Sequence, residues 1–72
     1  MKALADFVKE KRRYVGITQK ELADKSGVAL TVIRKIEQGK VNLSQEKVNQ
    51  VLRLFGHELA PVSSRDLADS KK

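Results

Sequence analysis

The amino-acid sequence predicts an all-α domain of four to five helices that ends in a short extended strand. Three observations point there. Apolar side chains recur at three- and four-residue spacing instead of alternating. Gly16, Gly27, Gly39 and Gly56 punctuate these stretches at short intervals, as glycines that end helices in the left-handed conformation do. No β–α alternation, internal repeat or glycine-rich phosphate loop interrupts the pattern.

In the first element, Leu4, Phe7, Val8 and Val15 share one face, with Lys9, Glu10, Lys11 and Arg13 on others. That spacing predicts a helix from about Ala3 to Val15, stopped by Gly16. The second begins at Thr18, an N-cap residue with Glu21 three positions on as its capping-box partner. Ile17 before the cap and Leu22 after it are placed as a hydrophobic staple. This helix is short, running to about Ser26, with Gly27 at its end. A third helix from about Leu30 to Gln38 turns Ile33 and Ile36 inward, and Gly39 caps it. Ser44 can cap a fourth, in which Val48, Val51, Leu52 and Phe55 form one apolar stripe closed by Gly56. Beyond that, residues 57–62 are too few for a helix and read as an extended segment, with Pro61 limiting any ladder. Residues 1–62 are therefore expected to fold together. Residues 63–72, with Leu67 as their only large apolar side chain, are expected to form a flexible tail.

A chain of 72 residues makes one small domain. Core burial at this size leaves roughly 3–5 kcal/mol of net stability, so a staple or self-association is usual. The absence of cysteine rules out disulfides and thiolate metal sites, and one histidine cannot build a zinc site. No metal or cofactor is expected. No apolar run approaches the ~18 residues that span a bilayer, and the opening residues lose apolarity too soon for a signal peptide. Net charge is +6, unevenly placed: residues 1–42 hold ten Lys or Arg against five acids, residues 43–72 five against four. A basic half on a small domain attracts polyanions, DNA above all, although a merely solubilising surface would look similar.

Catalysis is not expected. Glu21 is committed to a cap, Asp24 and Glu46 fall on solvated faces, and Glu58 lies in the extended segment. His57 has no nucleophile with a supporting site.

The spacing of the central elements is more specific than their number. Ala23 gives the second helix a small contact point, Gly27 turns the chain, and Ile33 and Ile36 pin the third helix from behind. The third helix is left as a protruding rod of the kind a DNA major groove admits. At this spacing the run GITQKELADKSGV from Gly16 to Val28, continued by IRKIEQGK from Ile33 to Lys40, resembles the Cro/C1-type (Xre) helix-turn-helix family over residues 4–56. The longer string FVKEKRRYVGITQKELADKSGV, with VNQVLRLFGHEL further on, most resembles the HipB-type antitoxin branch, in which a strand replaces the fifth helix.

The resemblance implies a lambda-repressor-like fold and a role for each of several residues. Gln19 matches a position that hydrogen-bonds a backbone phosphate, and Lys40 and Asn42 match a loop that grips phosphate. Base reading would fall on Ala29, Leu30, Thr31, Arg34 and Lys35. Arg34 and Lys35 can donate to guanine and Thr31 can meet a thymine methyl, with phosphate as the competing partner for both cations. Arg12 and Glu37 match a structural ion pair that orients the third helix. Leu54, Phe55, Glu58, Leu59, Ala60 and Val62 are the candidates for a dimer interface, since a single domain covers too little DNA for tight specific binding. The resemblance further implies a homodimeric repressor on a pseudo-palindromic operator of double-stranded DNA. It implies a HipA-like serine/threonine kinase toxin as partner, and residence in the bacterial cytoplasm, on the nucleoid when bound. A stand-alone Xre regulator and an antitoxin acting chiefly by protein binding are the competing readings.

Overall fold

The computed structural model describes residues 2–40 and 42–60. Among them are four helices: α1 (Lys2–Val15), α2 (Gln19–Ser26), α3 (Leu30–Glu37) and α4 (Gln45–Leu54). No strand occurs among the described residues. The expected extended segment carries no ladder between His57 and Ala60. Val62 and the expected tail, residues 63–72, lie outside the described residues, and among the described residues no fifth helix occurs.

Local chemistry explains where each helix begins. Thr18 accepts from the Glu21 N–H at 3.1 Å, and the Glu21 carboxylate accepts from the Thr18 N–H at 2.9 Å. This closed capping box holds Glu21 below the usual carboxylate range, through the Thr18 backbone N–H first and its side chain second. Ser44 caps α4 by accepting from the Lys47 N–H. Ala29, at the start of α3, offers no side-chain cap.

The helix ends share one device. In each, the residue after the glycine donates to the carbonyl five positions back: Ile17 to Arg12, Val28 to Ala23, Lys40 to Lys35 and His57 to Leu52. That closing bond is the longer one of the Schellman motif. It demands a left-handed residue, and Gly27 supplies one at φ +76° between α2 and α3.

One core ties the helices together. Val8, Leu22, Ile33, Ile36, Val48 and Val51 are fully enclosed. Ala23, also buried, lets α2 pass close to its neighbours. Phe7, Ile17, Leu30, Val32, Leu43, Phe55 and Leu59 pack around this centre. Here α3 is held by both α1 and α2, and α4 closes the rear against α2 and α3. Val15 departs from expectation. It shares the stripe of Leu4 and Val8 but, as the last residue of α1, is 56% exposed. Ala5 takes an inward place instead.

Candidate nucleic-acid interface

Because Ile33 and Ile36 point inward, the opposite side of α3 is forced outward. Thr31, Arg34, Lys35 and Gln38 are all exposed, at the i, i+3, i+4, i+7 spacing of a single helical face. Ala29, exposed at the N-cap, extends this face. Leu30 does not belong fully to it, since its side chain is half-buried and packs against the core. Gln38, at the C-cap, joins the face without having been expected there; the i+7 spacing from Thr31 carries that signal. No side chain caps α3, and the Val32 N–H donates instead to the Ala29 carbonyl at 3.0 Å.

The loop after α3 brings one further cation and an amide. Lys40 and Asn42 are both exposed. Asn42 lines a cavity of about 170 Å³ with Val32, Lys35, Leu43, Ser44, Lys47 and Val48. Lys47 was not expected at the interface. It enters because the turn into α4 folds back beside Lys35, a proximity across twelve positions that local spacing does not encode.

Behind this face, three helices meet on one carboxylate. Arg12 Nε donates to Glu37 Oε2 at 2.8 Å and Arg12 Nη2 donates to Oε1 at 3.0 Å, a bidentate fork. Arg12 Nη1 donates to the Ile17 carbonyl at 3.0 Å, which ties the α1–α2 connection to the same guanidinium. Gln19 Nε2 also donates to Glu37 Oε1, at 3.1 Å. The Glu37 side chain is 3% exposed and that of Arg12 16%. Burial works to raise the Glu37 pKa, but the hydrogen bonds from Arg12 and Gln19, with the charges of Arg12 and Lys9, outweigh it and hold the group below the usual carboxylate range. The hydrogen bond to Glu37 raises the Arg12 pKa in turn, against a smaller effect of burial.

The turn itself is gripped from α4. Gln50 Nε2 donates to the Ser26 carbonyl at 3.3 Å and lies 3.5 Å from that of Gly27. Gln50 was not singled out from the sequence, where a polar residue in α4 reads as solvated. One position earlier, Asn49 Oδ1 accepts from the Leu59 N–H at 2.7 Å and fixes the segment after α4.

Of the residues expected at a dimer interface, Val62 lies outside the described residues and the others fall between the last residue of α4 and Ala60. Leu54 is 42% exposed, Phe55 and Leu59 are half-buried, and Ala60 is exposed. Glu58 lies 3.9 Å from Arg53. His57 sets its ring edge-on to Phe7, with centroids 4.8 Å apart. A largely apolar groove of about 370 Å³ runs along Ala3, Leu4, Phe7, Leu52, His57, Glu58 and Leu59.

Two short helices at a glycine turn, the second carrying an outward polar and cationic face, define a helix-turn-helix DNA-binding domain. The chain belongs to the Helix-turn-helix family of Cro/C1 (Xre) type, whose model matches residues 8–60. It thus carries the sequence-specific DNA-binding module of a transcription regulator. No curated protein and no solved structure matches the chain significantly. Among the described residues, no helix is long and apolar enough to cross a membrane.

Proposed function

We propose that the chain is a homodimeric transcriptional repressor that binds a pseudo-palindromic operator, with α3 in the major groove. The observation that carries this reading is the exposed face of Thr31, Arg34, Lys35 and Gln38 on a helix held rigidly from behind. Arg34 and Lys35 are the base-reading candidates, with Ala29 and Thr31 near the helix start and Leu30 limited to its exposed part. Gln19, Lys40 and Asn42 hold phosphates. Two copies would present α3 one DNA turn apart, about 34 Å. Their contact would run through Leu54, Phe55 and the segment from Glu58 to Val62, beside the apolar groove. Pairing of that segment with its twin would give it a ladder partner.

The likeness of the sequence to HipB-type antitoxins supports a narrower reading. The operator is then the protein's own promoter, and a HipA-like kinase toxin is the partner.

Arg34→Ala with Lys35→Ala is the decisive variant. In a gel-shift series on the DNA upstream of the coding region, the double variant should lose specific binding while its circular dichroism melt stays as in the parent. Wild-type affinity in that variant would show that α3 is not the reader. The parent's affinity should also fall with salt at a log–log slope near −0.9 per neutralised phosphate.

A further inference from the structure

Glu37 makes one bond more than an ion pair needs. Its fork with Arg12 is complete with the contacts at 2.8 and 3.0 Å, yet Oε1 takes a second donor, Gln19 Nε2, at 3.1 Å. A glutamine in the first turn of a surface helix ordinarily turns its amide freely in water. Here it is half-buried and committed to a carboxylate almost wholly withdrawn from solvent.

The chemistry of the acceptor sets the orientation of that amide. A charged carboxylate only accepts, so Gln19 must present nitrogen and not oxygen. One of its two N–H groups is then used on Glu37. The other makes no hydrogen bond within the described chain and is left for an outside acceptor. In the same turn the N–H groups of Gln19 and Lys20 have no intrahelical acceptor, while that of Glu21 is taken by Thr18. The negative charge that imposes this orientation would by itself repel a phosphate. Arg12 offsets it through the same two oxygens.

We propose that Glu37 is a positioning residue for DNA binding, which fixes the Gln19 amide through Oε1 so that a single N–H remains aimed at a backbone phosphate. The inference rests on the reading of Gln19 as a phosphate contact. The gain lies in preorganisation: the side chain is ordered before DNA arrives, so less freedom is lost on binding.

A double-mutant cycle with a short mixed-sequence DNA duplex tests this in the full chain, at a temperature where circular dichroism shows every variant folded. Gln19→Ala should weaken binding about tenfold or more, the worth of one hydrogen bond to a charged group. It should leave the salt slope unchanged, because a neutral donor displaces no counterion. In the E37Q background, where the neighbouring amide no longer dictates which end of Gln19 faces inward, the same substitution should cost almost nothing. Any general gain from removing a negative charge is common to both arms and cancels. Equal cost in both backgrounds would overturn the positioning role and leave the phosphate contact standing. No cost in either, with the duplex still bound, would overturn the phosphate contact as well. No duplex binding by the parent would overturn the proposed function itself.

A measurement on the unmodified protein covers the case in which E37Q does not fold. The two side-chain N–H protons of Gln19 should give separate resonances in the free state, and adding duplex should displace chiefly the one not bonded to Glu37. Equal displacement of both, or of neither, would overturn the proposal.

Discussion

Glu37 is a carboxylate with almost no access to water, and Arg12 keeps it charged and bonded there. Removing one partner of such a pair strands the other, at a cost of about 3–5 kcal/mol. That equals the whole net stability expected of a core this small. Arg12→Ala should therefore be unfolded, or nearly so, at room temperature in a circular dichroism melt. Acid attacks the same point from the carboxylate side. Glu37 and Glu21 both sit below the ordinary range in the folded protein. Their contribution is complete above the unfolded carboxylate value of about 4.3, and it drains away as pH falls through the lower folded values. The melting midpoint should hold level from neutrality to about pH 5 and drop below about pH 4. A midpoint that stayed level well into that acid range would contradict the pairing.

At the scale of elements, α2 is defined by its two ends more than by its length, since eight residues make a marginal helix. Thr18→Ala opens the capping box and should cost about 1 kcal/mol. Gly27→Ala probes the other end. Its added Cβ would meet only Gln50 Nε2 at an ordinary 3.5 Å, so the cost is one of backbone conformation and not of space. A left-handed alanine there should lose roughly 1–2 kcal/mol. Urea titrations of the two single variants should give losses in that order, with unchanged slopes. The capping box and the glycine are plain in the sequence because their bonds are local. Gln50 is not, because its partners lie 24 and 23 positions away and come within reach only when α4 packs on α2.

For the whole molecule, two surfaces carry different chemistry. One shows the polar and cationic face of α3 with Lys40, Asn42 and Lys47 nearby. The other holds Leu54 and the apolar groove between α1 and the segment after α4. If copies pair there, Leu54→Glu should shift sedimentation at tens of micromolar from dimer to monomer and weaken operator binding, with little change in the melting midpoint. A parent that sediments as a monomer at that concentration would refute the dimer.

The sequence by itself determined the four helices, their caps, the glycine turn and the outward placement of Thr31, Arg34 and Lys35, because each follows from bonds and spacings within a few residues. Tertiary structure alone decided what those helices cover. Val15 lies on the right stripe and is left bare, Leu30 is drawn partly inward, and Lys47 arrives beside Lys35. It also decided that Gln19 is bonded to Glu37 and does not stand free in solvent. Periodicity states which side chains share a face; only the packing of helix on helix states where that cover stops and which distant partner each polar group meets.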